Sequence, residues 1–376
     1  MYSRGVDPHS LAASLVDILR VHTHAPMSNC VVAVEECVRL LVCDIENDHL
    51  QNVLREIRQY KPDTIECRDA RELKGLGRMI VDMCSEKEEL ANTVSDCDDS
   101  LMDMLQVYTD ILENTHPSVA KQAMDGFELV AGLVEALVKE QKETVAHSIV
   151  KCLISTSKAA GHVVLPYLLD SPLIVSLASR VPSDISSCHM NALHVDCLSL
   201  LTLVLSLGTI PPLDSLQFLD VDFCSRLWIF VGEDLKEALP LLVNIHNSTP
   251  CEEDSAVIRS LRDNPLSTVG EKMIEHLIRE PSVAKFKLMK GIFDEGQTFV
   301  NEILYRNDLS VLMHVSGQHL INEDNFEIRR SILRFLISVG RSGIEGTSQA
   351  VEAVEQASFT FDHDLVRETR NALTHS

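Results

Sequence analysis

The residues Cys188, His189, His194 and Cys197 bring together the thiol and imidazole side chains that bind zinc. A structural zinc site arranges four such ligands as a tetrahedron. On a single helix these four side chains point in different directions, and only His194 and Cys197, three residues apart, share a face. A complete site would need ligands from elsewhere in the fold. We therefore expect structural histidines here and no bound metal.

Two other groups of residues do not match the functional motifs that they partly resemble. His314 and His319 are five residues apart, whereas a helical zinc site places its histidines at i and i+4. Gly75-Leu76-Gly77 lacks the third glycine of a dinucleotide-binding turn and follows no predicted strand. We expect structural histidines at 314 and 319, and a break between two helices at residues 75–77.

An acidic cluster is spaced like the start of a calcium loop. It consists of Asp96, Asp98, Asp99 and Asp103. The sixth position of such a loop must be glycine, but here it is Leu101, and the twelfth is Val107 in place of glutamate. The cluster therefore indicates a solvated acidic helix face.

The sequence contains no nucleophile elbow, no Walker loop and no kinase signature. We expect no catalytic residue, no cofactor and no enzymatic activity. An all-α enzyme stays open as one hypothesis, and a pocket that pairs titratable groups with perturbed pKa values would reveal it.

The composition describes a globular and acidic chain. Apolar residues make up 45% of 376 residues, enough to bury a sizeable core. The formal net charge of -23 repels nucleic-acid phosphates and anionic lipid surfaces, so we expect a basic protein partner and no nucleic acid. The longest apolar run, residues 197–207, is about half the ~20 residues that a membrane span needs. We expect no membrane insertion.

The 11 cysteines are dispersed through apolar helical patterns, as at residues 38–43 and 197–201. This distribution is typical of reduced, buried thiols and not of a disulfide framework. The N-terminal residues contain no apolar signal-peptide core. The sequence therefore predicts a cytosolic protein.

Apolar residues recur at helical spacing along most of the chain, and no strand pattern is convincing. Four of the predicted helices are at residues 86–114, 117–139, 143–160 and 187–207. Residues 163–181 are expected to form only short pieces, because Pro166 and Pro172 interrupt them. The predicted fold class is all-α.

One pentapeptide occurs twice. Pro-Ser-Val-Ala-Lys lies at residues 117–121 and again at 281–285, 164 residues apart, which equals four units of ~41 residues. Coincidence is the alternative explanation, because Pro-Ser often begins helices. With short turns between helices, the repeat interpretation predicts a right-handed α-solenoid of armadillo/HEAT-like repeats, as a single domain over residues 1–376.

Residues 284–323 contain two apolar helical periods on either side of Tyr305-Arg306-Asn307-Asp308. Asn307 or Asp308 is the predicted N-cap of the second helix, because a short acceptor side chain there takes up free N–H groups of the first turn. The stretch is predicted to be an αα-hairpin with a capped corner.

The string Tyr305-x-Asn307-Asp308-x-x-Val311-Leu312, with Phe299 before it and Gln318-x-Leu320 after it, resembles the most recognisable motif of the WISH/DIP family. The family-like part covers residues 264–340. Animal members are Nck-interacting proteins with an SH3 domain ahead of a leucine-rich domain. Fungal members are little more than that armadillo-like domain, and this chain is similar to that shorter form.

The resemblance implies a function in actin assembly. It implies that the chain binds the actin-related protein 2/3 complex and activates it without a pre-existing filament, giving unbranched seed filaments. Actin itself would be an indirect partner. The implied location is the actin cytoskeleton, at cortical actin patches and in endocytosis, and a homodimer is left open.

Two groups of residues are candidates for partner binding. The first is the corner formed by Tyr305, Arg306, Asn307 and Asp308, for which a purely structural cap is the alternative. The second is Asp98 and Asp99 on the predicted 86–114 helix, where they would steer a basic partner. For these the alternative is an acidic surface that only keeps the protein soluble. The alternative function is a generic armadillo/HEAT scaffold that holds a different helix or peptide.

Overall fold

The computed structural model describes residues 7–45, 47–89, 96–124, 126–182, 190–250, 255–343, 348–357 and 363–374. Every regular element in these ranges is an α-helix, and 21 helices are present. The helices fall into two compact units, residues 1–173 and 174–376, which we describe one at a time. The predicted all-α class is confirmed.

Unit 1 begins with three helices that pack on one another. The helices of this unit are α1 (Pro8–Thr23), α2 (Met27–Asp44), α3 (Asp48–Arg58), α4 (Arg68–Glu89), α5 (Asp96–Asn114), α6 (Pro117–Ala123), α7 (Glu128–Lys139) and α8 (Glu143–Asp170). Ala12, Val16, Val34, Val53 and Ile57 form part of the core between α1, α2 and α3. Further along, α4 packs on α5, α6 and α7, and α8 covers the same three helices.

A buried ion pair joins α1 to α4. Arg20 Nε lies 3.3 Å from Asp69 Oδ2, and both side chains are almost fully buried. The same guanidinium donates to the carbonyl of Ala25 at 2.5 Å and to that of His24 at 3.1 Å, just past the end of α1. Because removing one partner leaves an uncompensated buried charge, breaking such a pair costs about 3–5 kcal/mol. The pair therefore fixes how α4 sits on the N-terminal helices.

Most of the remaining helices form two layers in unit 2. The remaining helices are α9 (Leu173–Arg180), α10 (Ala192–Leu205), α11 (Leu213–Leu216), α12 (Val221–Gly232), α13 (Ala238–Asn247), α14 (Ala256–Asp263), α15 (Thr268–Arg279), α16 (Val283–Asp294), α17 (Gln297–Ile303), α18 (Arg306–Asn322), α19 (Phe326–Arg341), α20 (Ser348–Ala357) and α21 (His363–Thr374). In the first layer α10, α13, α16, α19 and α21 each pack on the next. In the second layer α12, α15, α18 and α20 do the same, and α14 and α17 pack against both layers.

The order of these helices repeats along the chain. Helices α13, α16 and α19 begin at residues 238, 283 and 326, spacings of 45 and 43 residues. Helices α12, α15 and α18 begin at residues 221, 268 and 306, spacings of 47 and 38 residues. These spacings centre on the period of roughly 40–47 residues that is typical of armadillo and HEAT repeats. Stacked helical repeats are thus observed within unit 2, whereas the right-handed sense and the single domain over 1–376 stay predictions.

Polar side chains link each repeat to the one before it. Asn244 Nδ2 on α13 donates to the Thr202 carbonyl at the end of α10, at 2.9 Å. Lys287 Nζ on α16 donates to the Asn247 carbonyl at the end of α13, at 3.3 Å. In the second layer a lysine of α15, Lys272, donates to the last carbonyl of α12 at 3.1 Å. Since the last four carbonyls of a helix have no intrahelical partner, these bonds satisfy groups that packing would otherwise bury unpaired.

Two glycines allow helices to approach closely. A Cβ atom on Gly270 of α15 would lie 2.5 Å from the carbonyl oxygen of Ile303, and one on Gly340 of α19 would lie 2.5 Å from the carbonyl oxygen of Ala372. No side chain fits at such distances unless the helices separate. The absent side chains therefore set the spacing of α15 to α17 and of α19 to α21.

Three predicted helices are divided differently in the structure. The helix expected to begin at residue 86 has no separate start there, because α4 runs through that position to Glu89; residues 90–95 lie outside the described residues, and α5 covers the part from Asp96 to Asn114. The helix expected over 117–139 is split where Gly126 and Phe127 take positive φ angles of 98° and 58°. In the stretch 284–323, Gly296 has a φ of 97°, so the predicted pair of helices is in fact three, α16, α17 and α18.

Two predicted breaks are absent. Gly75 and Gly77 lie inside α4, because Leu73 and Ile80 keep the buried face of that helix in register on both sides. Pro166 lies inside α8, which bends instead at Ala160, where φ is -132°. Pro172 does separate α8 from α9, as predicted.

The repeated pentapeptide occupies different positions in its two copies. Pro117 is the first residue of α6, which His116 caps. In the second copy Ser282 is the N-cap of α16, so Pro281 precedes the helix. The spacing of the helices, and not the pentapeptide, therefore supports the repeat.

The described cysteines are free thiols, and most are buried. Cys37 and Cys43 are exposed, contrary to the prediction, because α2 buries only the face that carries Cys30, Val34 and Val38. Among the described helices none alone is long and apolar enough to cross a membrane, and the bent pair α8 and α9 meets that criterion by length and composition only.

We expect Gly270→Ala to lower the free energy of unfolding by about 1–3 kcal/mol, because the added methyl group meets a backbone oxygen of α17. Gly75→Ala is the matched control, since a Cβ atom there meets nothing within 4 Å. It should raise stability by up to about 1 kcal/mol through helix propensity. Thermal or urea unfolding measures both changes, and equal effects of the two substitutions would contradict the close approach at Gly270.

Candidate functional site

The corner at residues 305–308 is the start of α18. The N-cap is Tyr305, whose backbone is extended with φ -73° and ψ 157°. Its N–H donates to the carboxylate of Asp308 at 3.3 Å. The prediction of Asn307 or Asp308 as the N-cap is therefore wrong, because Asp308 reaches back from the third position of the helix, as an acidic residue does in a capping box.

The corner motif divides into an inward and an outward set of side chains. Phe299, Leu309, Leu312 and Leu320 are buried, and Asp308 is half-buried in the cap. The outward residues are Tyr305, Asn307, Val311 and Gln318, with Tyr305 65% and Val311 45% exposed. The fold therefore explains the inward set and leaves the outward set without a packing role.

The outward residues continue along one face of α18. Asn307, Val311, His314, Gln318 and Ile321 follow one another at four, three, four and three residues, which places them on one side of the helix. Within unit 2, α18 packs on α15 and α20 in its own layer and on α19 in the first layer. The exposed side therefore faces away from the first layer. We call these five residues and Tyr305 the motif face.

Asp98 does not lie on a solvated surface. It is 4% exposed, and its carboxylate forms ion pairs with Lys142 and, at 2.6 Å, with Lys87. Lys87 also pairs with Glu140 at the end of α7. Asp98 therefore ties α5 to α4 and to the α7–α8 turn. Asp99, the next residue, is exposed.

The pKa values at this cluster follow from its geometry. Burial would raise the pKa of the Asp98 carboxyl, but hydrogen bonds from Lys142 and Lys87 outweigh it and hold the pKa below its usual range. The prediction that Asp98 steers a partner is corrected to a structural role, since its charge is already neutralised inside unit 1. Of the two predicted steering residues only Asp99 is available at the surface.

The zinc candidate is described only in part, because Cys188 and His189 lie outside the described residues. His194 and Cys197 are both buried on α10. His194 Nδ1 accepts a hydrogen bond from the backbone N–H of Asn191 at 3.3 Å, so the ring forms part of the cap of α10. Burial raises the pKa of the Cys197 thiol to about 12, which disfavours the thiolate that zinc requires.

The two histidines of the second pair, His314 and His319, lie in different environments. His314 is exposed on the motif face, whereas His319 is half-buried, and burial lowers its pKa. Within the described ranges no cluster of three or more histidine, cysteine or acidic side chains has a geometry that holds a metal ion.

One cluster in unit 2 contains perturbed titratable groups of the kind that an enzyme uses. Burial is the main cause that lowers the pKa of His276, to about 4, and the pKa of Lys285 is lowered for the same reason. Lys285 Nζ, however, donates to the carbonyls of His276 and Glu280 at 2.9 and 2.6 Å, so it closes the end of α15. The adjoining cavity of about 10 Å³ holds no more than a water molecule.

Unit 1 contains a larger cleft, of about 380 Å³, between α4 and the α6–α7 connection. Leu73, Gly77 and Tyr108 form its floor, and Lys74 and Arg78 lie on its rim. The volume is at the lower end of the range for small-molecule sites. The sequence did not indicate this cleft, because its walls come from helices about 50 residues apart in the chain.

We expect Asp98→Asn to lower the free energy of unfolding by about 1–2 kcal/mol at pH 7, and Asp99→Asn to change it little. The pKa of Asp98 is lowered in the folded state, so its stabilising effect is complete above the unfolded pKa of about 4 and is lost as the pH falls through the folded value. Urea unfolding at pH 7 and at pH 3 measures this. A loss that is no smaller at pH 3 than at pH 7, or one shared by Asp99→Asn, would contradict the ion pairs.

Stability should also fall as the pH drops from 6.5 towards 4, because the unfolded chain protonates His276 over that interval and the folded chain does not. His276→Gln should flatten this dependence, and the exposed His314→Gln should not. Thermal melts at pH 7 and at pH 5 test the difference in slope, and an unchanged slope in His276→Gln would disprove the assignment.

No family model matches this chain, and no curated protein matches it. Among the solved structures that it matches is a designed armadillo repeat protein, with 10% sequence identity and a TM-score of 0.23 over 79% of this chain and 98% of the designed one. At that TM-score the likeness supports no conclusion by itself. The description of this chain as stacked helical repeats therefore rests on its own helix order and packing.

Proposed function

We propose that this chain is a helical-repeat scaffold that binds the actin-related protein 2/3 complex and activates it without a pre-existing filament, so that its product is an unbranched seed filament. A protein with this function uses binding energy and needs no catalytic residue. It acts from the cytoplasm on the actin cytoskeleton. The motif face of α18 is the surface that we assign to the complex.

The proposal rests on the division of the motif into buried side chains and exposed side chains. Tyr305, Asn307, Val311 and Gln318 belong to the string that resembles the WISH/DIP family, and all four are exposed without a packing role. A motif that served only to cap a helix would need Asp308 and the buried leucines. Exposed apolar side chains such as Val311 lose solvent contact when a partner covers them, which favours binding.

A face of this shape suits a protein partner. The outward residues share one side of a helix of 17 residues, and exposed Ile321 extends the apolar part towards its end. Its amide side chains, Asn307 and Gln318, can each donate and accept hydrogen bonds. A central apolar contact with polar groups at its rim is the usual composition of a protein interface.

Activation places an energetic requirement on this surface. A ligand shifts an equilibrium only by the difference in its affinity for the two states. Moving a complex from 1% to 99% active requires about 10⁴-fold tighter binding to the active arrangement. The motif face must therefore fit the active arrangement of the complex better than the inactive one, and residues there should affect activation and binding together.

We expect Val311→Asp to weaken binding to the complex at least about tenfold and to abolish activation, because it places a charge in the apolar part of the motif face. Val138→Asp on α7 is the matched control, since Val138 is 46% exposed and Val311 is 45% exposed. Pyrene-actin assembly with the purified complex, with and without added filaments, measures activation. Fluorescence anisotropy with labelled complex measures binding.

A third variant separates folding from contact. Asp308→Ala should lower stability by about 1 kcal/mol through the cap and leave the activity of the folded protein intact. If Val311→Asp and Val138→Asp behave alike, the motif face is not the interface. If the wild-type chain does not bind the complex, the actin function itself is wrong, and a scaffold for a different protein takes its place.

A further inference from the structure

The first layer of unit 2 also has an open side, which faces away from the second layer. On α16, Gly291 faces α13, since a Cβ atom there would lie 3.2 Å from the ring of His246. Phe286 and Phe293 face α19, where Phe335 packs against both rings at 5.9 and 5.1 Å. The arc between these two sides carries Lys287 and Lys290.

Around α19, the neighbouring helices and the open arc follow one another in the same order as around α16. Phe335 faces α16, and Gly340 faces α21. The arc between them carries Arg330 and Arg334, while the opposite arc is buried against the second layer. The open arcs of α16 and α19 therefore lie on one side of the layer. We call Lys287, Lys290, Arg330 and Arg334 the basic face.

The arginines of this face are not neutralised within the part of the chain that the structure describes. Arg334 is exposed, and neither arginine has an ion pair or a hydrogen bond from its side chain. The Nε atom of Arg330 is buried without an acceptor, which is unfavourable for a polar group. Lys290 pairs with Asp294 near the surface, and Lys287 donates to the Asn247 carbonyl, so the two lysines add to the local positive charge while the arginines remain for contact.

The basic face is positively charged, whereas the chain as a whole carries a negative net charge. Acidic residues outnumber basic ones by 56 to 33, yet on this side of α16 and α19 the described acids are Asp294 and Glu327, against the four cations and Arg341, which pairs with Glu368 of α21. At physiological salt, charges further away than about 8 Å are largely screened. A ligand seated on the basic face would therefore experience mainly the local positive charge.

We infer that the basic face is a docking site for an acidic segment of a partner protein, with carboxylates placed against Arg330 and Arg334. Guanidinium groups bind carboxylates through two parallel hydrogen bonds, and the side chain of Arg334 is exposed. The two arginines are one helical turn apart, so the segment needs acidic side chains at a similar distance. The site lies on the opposite side of unit 2 from the motif face, and so it does not depend on the function proposed above.

An acidic protein segment suits this face better than a nucleic acid or a membrane. A duplex or an anionic bilayer extends far beyond four cations and would meet the acidic remainder of a chain with a net charge of -23. A short peptide can lie within the face. Its carboxylates also match the forked geometry of arginine more closely than scattered lipid head groups do.

The test uses the full chain and a fluorescein-labelled oligoglutamate peptide. Fluorescence anisotropy across a salt series should show binding that weakens as salt rises. Arg330→Glu with Arg334→Glu should weaken binding at least about tenfold. Lys74→Glu with Arg78→Glu is the matched control, because these two exposed residues have the same i, i+4 spacing on α4 of unit 1. Arg334→Glu alone covers the case in which the double variant does not fold.

Each outcome decides the proposal. Binding that the unit 2 variant loses and the unit 1 variant keeps supports it. Equal loss in both variants, or loss only in the unit 1 variant, places the peptide elsewhere and overturns it. No binding at the lowest salt also overturns it, as does stronger binding of oligolysine, of single-stranded DNA or of phosphatidylserine vesicles than of oligoglutamate.

Discussion

The stacking of unit 2 depends on how the ends of its helices are satisfied. An array of short helices has many C-terminal carbonyls without an intrahelical partner, and stacking brings them close to the next repeat. Asn244, Lys272 and Lys287 each reach from one repeat to a terminal carbonyl of the repeat before it. Apolar packing alone would tolerate small slips of one helix along another, whereas these bonds require one register. Neighbouring repeats are therefore coupled in pairs, as expected for a structure in which each repeat contacts only its neighbours.

The helices themselves were largely predictable from local sequence, because apolar period, prolines and caps act within a few residues. Glycine was the main source of error. Gly126 and Gly296 take positive φ angles and end helices, whereas Gly75 and Gly77 lie inside α4. The residue type is the same in both cases, so the difference comes from the flanks. The buried residues Leu73 and Ile80, on either side of Gly77, lie on one face of α4. The packing of that face against the other helices of unit 1 outweighs the low helix propensity of glycine.

The functional residues were less predictable, because their roles depend on distant parts of the chain. Asp98 and Asp99 are identical in type and adjacent in sequence, yet one is buried and the other exposed. Asp98 pairs with Lys142, 44 residues further on, and with Lys87 on α4, and no local pattern contains these partners. The motif at the α17–α18 corner shows the same limit. Its string was visible in the sequence, but only the packing of α18 on α15, α19 and α20 separates the cap residue Asp308 from outward residues such as Val311.

The use of lysine in unit 2 also changes how the net charge should be interpreted. Lys272, Lys285 and Lys287 direct their ammonium groups to backbone carbonyls, so part of the basic complement is spent on holding helices together. The net charge of the chain therefore says little about any one surface, and it bears mainly on solubility and on long-range approach. Recognition at contact distance is local, and the two sides of unit 2 differ locally. The motif face is apolar and amide-rich, and the basic face is cationic. Each lies on the outer side of its own layer, so the two faces share no residue and no helix.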